Sequence, residues 1–147
     1  MAPQKMKKDS GILLQLGHTT PRQRGFQVYD GNLEKFPYPF KNNEVHLINA
    51  PHIIEHINYK IIWKFFDECW RILKASGQLA VSCPYAGSSA FFSDPTHCTA
   101  FSEKSFAYLD PDYAPYQIYK PKPWRIEKGN PVWHTEGNLE CLLMPRK

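Results

Sequence analysis

A chain of 147 residues, 42% hydrophobic and 22% charged, is long enough to bury a core, roughly two-thirds of its unfolded surface. Its makeup is that of a globular protein and excludes a disordered one. The net charge of +4 is too modest to define a nucleic-acid-binding protein: Lys5, Lys7 and Lys8 gather at the start and Lys120, Lys122, Arg125 and Lys128 later, a thin basic footprint that solvated surface explains better.

Residues 1–10 read as a flexible tail, and residues 11–147 as one domain. The opening "MAPQKMKKDSGILLQLG" has an apolar run too short for a secretory signal and no small-residue cleavage site after it. Residues 11–17 form a buried strand by length and apolarity, ending on Gly17. "PRQRG" is a polar turn, and "FQVYD" alternates as a second strand closing on Asp30. "LEKFPYPFKNN" carries two prolines and reads as an ordered loop. "EVHLINAP" is a third strand stopped by Pro51.

The clearest helix covers residues 58–75. Ile61, Ile62, Phe65, Cys69, Ile72 and Leu73 recur at steps of three and four as one apolar stripe. Asn58 suits the N-cap, Asp67 and Arg71 stand at i,i+4 on the polar side, and Ser76 and Gly77 supply the stop. "QLAVSCPY" is again a buried strand. Residues 86–101 form a loop long enough to suggest a functional role. Ser102 can cap a short helix, "EKSFAYLD", and the remainder suggests two strands joined by a Gly-Asn-Pro turn. Helices between the early strands and a closing hairpin predict an α/β sheet with an antiparallel edge. No stretch approaches the ~20 apolar residues of a membrane span. Cys69, Cys83, Cys98 and Cys141 include no Cys-x-x-Cys pair, so reduced thiols and a cytoplasmic location are expected.

Three blocks, "LEKFPYPFKNNEVHLINAPHIIEHI", "FFDECWRILKASGQLAVSCPY" and "FSDPTHCTAFSEKSFAYLD", resemble class I S-adenosylmethionine-dependent methyltransferases of the type 11 kind. "WRILKASG" is the most recognisable piece, and "LLQLG" fits the family's first strand. The resemblance implies a Rossmann-like methyltransferase sheet, mostly parallel with a C-terminal antiparallel hairpin. It also implies a departure. Relatives fit a helix, a second strand and usually a third between the first-strand glycine and the loop matching "LEKFPYPF". Here only sixteen steps separate Gly17 from Leu33, so about one N-terminal βα unit is missing. Of the glycine-rich turn that lets backbone approach the cofactor, Gly17 alone remains, and His18 carries a Cβ that crowds the approach.

By the same resemblance, S-adenosyl-L-methionine is the implied cofactor, with Gly17, Asp30, Leu33, Asn49, Ala50 and Pro51 as candidate binding residues. Asp30 would receive the ribose if "FQVYD" is the second strand; otherwise "DG" is simply a turn. Phe91, Phe92 and His97 are candidates to face the substrate. Glu55 and His56 match the family's "EH" at the turn into the helix, where Glu55 is expected to accept backbone N–H groups and His56 has a weaker claim as a base. Asp94, His97 and Cys98 stand close together without a second pair of ligands, so no metal is expected. Tyr108, Tyr113, Tyr116, Trp124 and Trp133 read as core and hairpin packing, with base stacking on single-stranded nucleic acid as the other use of such rings.

No Ser-His-Asp order, phosphate loop or carboxylate pair is visible, and no catalytic residue is identifiable. Methyl transfer from an activated sulfonium needs mainly alignment and exclusion of water. Two readings follow. One is an enzyme that moves a methyl group to a small-molecule or macromolecular acceptor. The alternative is a catalytically inactive binding or assembly module of the same fold that has lost its cofactor; a pocket adapted to another ligand is a third. Loss of the outer unit should expose a strand edge, from which a homodimer is expected.

Overall fold

The computed structural model describes residues 11–18 and 20–147; the expected tail over residues 1–10, with Lys5, Lys7 and Lys8, lies outside them. Seven strands form one sheet: β1 (Ile12–Leu16), β2 (Gln27–Tyr29), β3 (Val45–Pro51), β4 (Leu73–Pro84), β5 (Trp124–Ile126), β6 (Val132–Trp133) and β7 (Asn138–Pro145). Their order is β2-β1-β3-β4-β7-β5, with β6 also pairing β7. The first four strands are parallel, and β7 runs antiparallel to β4, β5 and β6. This is the mostly parallel sheet with an antiparallel end that the sequence implies.

"FQVYD" is the second strand. β2 pairs with β1 on the side away from β3, through Leu14↔Gln27 and Leu16↔Tyr29. Only residues 17–26 join β1 to β2, and no helix lies among those described. The short loop covers β1 in another way: Gln15, fully buried, donates from Nε2 to Thr20 O at 3.1 Å. β2 is consequently the edge strand.

Strand alternation sorts side chains to two faces. Leu14, Ile48, Leu79 and Leu143 are paired neighbours across β1, β3, β4 and β7, and all are fully buried. Gln15, Asn49, Ala80 and Leu142 form the adjacent row on the other face, and all but Gln15 keep partial exposure.

The helix α1 (Ile62–Ile72) is shorter than expected at both ends. Asn58 does cap, but it caps a 3-10 turn, Tyr59–Ile61, accepting from Lys60 N at 2.9 Å. The C-terminus comes at Leu73, which already pairs with Val45 as the first residue of β4. Ser76 and Gly77 therefore interrupt a strand and do not end a helix: the register jumps from Val45↔Leu73 to Leu47↔Gln78. A Cβ on Gly77 would lie 2.9 Å from His46 O and Leu73 Cδ2, so the chain rejoins the sheet there only without a side chain. Sheet pairing and the burial of Leu73 override the helical stripe that includes it.

Ion pairing on α1 also differs from the i,i+4 expectation. Arg71 pairs with Glu68, through Nη2–Oε1 at 2.6 Å and Nε–Oε2 at 2.9 Å. Asp67 instead accepts from Lys122 N at 2.7 Å. The Glu68 carboxylate, buried on the helix flank, also accepts Tyr38 N at 2.6 Å, and Arg71 reaches Phe40 O and Asn42 Oδ1, each at 2.9 Å. The proline-rich loop before β3 is thereby clamped to the helix.

Three short helices follow β4: α2 (Ser89–Ser93), α3 (Glu103–Ala107) and α4 (Tyr116–Tyr119). Ser102 caps α3 as expected, in a reciprocal box with Ser105. The first arm of the closing hairpin is broken in two, β5 pairing near Leu143 and β6 near Glu140. Trp124 sits in the core; Tyr108 packs edge-on or tilted against Trp63, Tyr113 and Tyr119, and Trp133 lies half exposed against Tyr85. Cys69, Cys83 and Cys141 are buried and Cys98 is exposed. Burial pushes the thiols of Cys69, Cys83 and Cys141 up, that of Cys141 to about 12, which disfavours the reactive thiolate in all three. No helix among the described residues is long and apolar enough to cross a membrane.

Candidate functional site

In an open parallel α/β sheet the binding crevice lies beyond the carboxyl ends of the strands. There the ends of β1, β2 and β3 enclose a cleft of about 440 Å³, lined by Gly17, His18, Asp30, Leu33, His52 and Ile53 among others. That volume lies within the range of small-molecule sites. Three of the residues singled out in sequence meet here: Gly17 from the end of β1, Asp30 from the end of β2, and Leu33 from the loop that follows.

Gly17 has φ +71°, and a Cβ on it would lie 2.6 Å from Ile53 Cδ1. The positive φ is what favours glycine, since the Ile53 methyl ends a side chain that can turn aside. The Gly17 N–H, however, donates to Tyr29 O at 2.8 Å, holding β2 to β1 in place of facing a ligand. Leu33 is positioned through its carbonyl, which accepts the Tyr38 hydroxyl at 2.7 Å. Tyr38 in turn packs on Tyr29 with ring centroids 5.2 Å apart. The cleft wall is thus tied through Tyr38 to Glu68 and Arg71.

Asn49, Ala50 and Pro51 are placed elsewhere. Asn49 lines a separate groove of about 270 Å³ with Ala80, Ser82, Glu140 and Leu142. Ala50 is fully buried in the core, and Pro51 is buried where β3 ends. Sequence reasoning passed over His52, Ile53 and Ile57, which also line the cleft. The signal was present in their position directly after a strand that ends at a proline. His52 takes φ +52°, uncommon for a residue with a side chain. The Glu55 carboxylate, 3.6 Å from Nδ1, raises its pKa.

Phe91, Phe92 and His97 cluster beside the cleft. Phe91 meets Phe92 and His97 with centroids 5.4 Å apart in each case. His97 lies edge-to-face on His56 at 4.8 Å, and His56 also lines the cleft. Among the described residues no backbone N–H donates to the Glu55 side chain, in contrast to the expectation for it. Its backbone oxygen receives Cys98 N at 2.8 Å and Thr99 N at 3.2 Å, while its Oε2 is buried with no hydrogen-bond partner among the described residues.

Sheet order and strand directions are those of a class I methyltransferase-like fold. More particularly, residues 10–81 match the type 11 family model described as "Methyltransferase domain". Among solved structures, a chain of the complex between the Haloferax volcanii Trm112 methyltransferase activator and a methyltransferase superposes with a TM-score of 0.66 at 9% identity. That match covers 94% of this chain and 84% of the other. An Archaeoglobus fulgidus SAM-dependent methyltransferase gives 0.58 at 12% identity over 95% and 87% of the two chains. One from Aquifex aeolicus gives 0.57 at 17% identity, with 84% of this chain spanning 56% of that one. At these identities the likeness is one of fold. No curated protein matches the sequence.

Proposed function

We propose that the chain is a methyltransferase that takes S-adenosylmethionine in the cleft at the ends of β1, β2 and β3 and passes its methyl group to an acceptor held on the Phe91–His97 side. The observation that carries the reading is the convergence of Gly17, Asp30 and Leu33, from three separate segments, on one cleft. Asp30, exposed at the end of the second strand, offers a carboxylate to ribose hydroxyls, and Leu33 offers an apolar wall to the adenine. When bound, the cofactor supplies an already activated methyl carbon; the protein's part is to orient donor and acceptor and exclude water.

The methionine end fits less well. Gly17 N–H is committed to Tyr29 O, so the backbone cradle for the cofactor carboxylate is reduced. That commitment favours the second reading, a non-catalytic module of the same fold. Calorimetry with S-adenosylmethionine and its demethylated product separates the two. The first reading expects a dissociation constant below about 1 mM, equivalent to about 4 kcal/mol, and a loss of about tenfold or more in Asp30→Ala, the worth of a charged hydrogen bond. Absence of binding at millimolar ligand favours the module.

The β2 edge also supports self-association, since an unpaired strand is a template for another. Light scattering is expected to give a dimer that dissociates on dilution; a monomer at every concentration would refute it. The relative solved with its activator makes a different partner chain the natural alternative occupant of such an edge.

A further inference from the structure

We infer that Glu55, His56 and His97 form a binding site for a divalent transition-metal cation, with zinc as the probe. One donor atom from each lies within 4.8 Å of the other two. Glu55 and His56 belong to the 3-10 turn Ile54–His56 that follows β3, and His97 arrives from the loop after α2.

The carboxylate makes the first argument. Glu55 is 1% exposed, and its Oε2 is buried without a hydrogen-bond partner among the described residues. His52 approaches only Oε1, at 3.6 Å, too long for a hydrogen bond. A buried carboxylate oxygen left unpaired is costly, and a bound cation relieves that cost as a proton does.

The tautomers make the second. His97 Nδ1 lies 2.7 Å from Phe91 O, and a carbonyl only accepts, so Nδ1 carries the proton; in the neutral ring Nε2 keeps its lone pair, 3.7 Å from Asp94 Oδ2. Thr96 Oγ1 donates to Asp94 Oδ1 at 2.7 Å and lies 3.2 Å from His56 Nδ1. Its one proton being spent, the hydroxyl accepts from His56, which again frees Nε2. An outer partner on the second ring nitrogen is how metal-ligating histidines are held. Two imidazole nitrogens and one carboxylate oxygen suit zinc and its neighbours and leave a coordination position open. Bonds of about 2.0–2.2 Å set tetrahedral donors roughly 3.4 Å apart, so the three side chains, now within 4.8 Å of one another, draw closer on binding. Sequence spacing hid the site because the third ligand comes from a distant loop.

Glu55 and His97 lie outside the lining of the cleft while His56 belongs to it, so the metal is titrated without cofactor and its binding is read independently of the cofactor reading. The test strips the full chain with chelator, then titrates zinc by calorimetry and cobalt(II) by visible absorption. One equivalent is expected to bind at micromolar or tighter concentration, with the cobalt spectrum of nitrogen–oxygen coordination. Thr96→Val should weaken zinc about tenfold or more, and His56→Ala, Glu55→Gln and His97→Ala more severely. His56 is exposed, so its variant reads binding without disturbing the core. Cys98→Ser should leave affinity and spectrum unchanged. Zinc binding weaker than millimolar, affinity indifferent to Glu55→Gln and His56→Ala, or loss of binding in Cys98→Ser would each overturn the assignment.

Discussion

Trp124→Ala is expected to lower stability by about 3–5 kcal/mol, the range for removing a large ring from a closed core. Trp124 is fully buried as the first residue of β5; its backbone N donates to Leu109 O at 2.9 Å, and it pairs with Pro145. The residue's backbone therefore joins the loop after α3 to the antiparallel end of the sheet, and its ring fills the core. Its indole Nε1 is buried without a partner among the described residues, so Trp124→Phe removes an unsatisfied donor along with part of the volume. The lost volume and the relieved donor partly offset each other, and Phe should cost about 1 kcal/mol or less. Chemical denaturation of the two variants measures the contrast. Equal losses would show that the indole N–H is satisfied.

The second large effect is expected at Glu68. Glu68→Ala strands Arg71 and leaves Tyr38 N without its acceptor, removing three bonds of 2.6–2.9 Å at once. Breaking a buried pair from one side costs roughly 3–5 kcal/mol. The Arg71 side chain is 27% exposed, so water recovers part of its solvation and the low end, about 3 kcal/mol, is expected. At roughly 3–4 °C per kcal/mol for a chain of this size, the midpoint should fall by about 10 °C. Arg71→Ala should cost somewhat less, and the double variant much less than the sum, because the two share one network. The network also holds Tyr38, whose hydroxyl fixes Leu33 O at 2.7 Å. Below its melting range, Glu68→Ala should bind cofactor analogues more weakly than the wild type. Unaltered affinity would separate the clamp from the cleft.

Most of the architecture was legible because strands were short, apolar and bounded by Gly or Pro. Gly17 and Pro51 closed β1 and β3 where expected. "FQVYD" needed the sheet itself to be placed as the second strand, since alternation gives a strand but not its neighbour. The end of α1 was misread because Leu73 continues the helical stripe in sequence yet is buried by pairing with Val45. Periodicity alone does not separate a stripe's last residue from the first residue of a strand. Arg71 chose Glu68 over Asp67 for a similar reason: the partner was decided by the loop carrying Tyr38 and Phe40, which helix spacing cannot see.

The site was legible in part. Gly17, Asp30 and Leu33 each lie at a strand end or just beyond, where this topology concentrates ligand contacts, and they converge. Asn49 and Ala50 lie inside β3, where alternation sends one to the outer face and the other to the core. His52 and Ile53 are one and two residues past the strand and reach the cleft. The pairing of His56 with His97 had no local signal, because it depends on how the loop between β4 and α3 folds back over the turn after β3.

The central claim is that an adenosyl ligand occupies the cleft at the ends of β1, β2 and β3. Titration of the isotopically labelled chain with S-adenosylhomocysteine, followed by amide NMR shifts, tests it most directly. Saturable shifts are predicted at Gly17, Asp30, Leu33, Ile53 and Ile57. Shifts confined to the groove around Asn49, Ala80 and Leu142, or none at millimolar ligand, would contradict it.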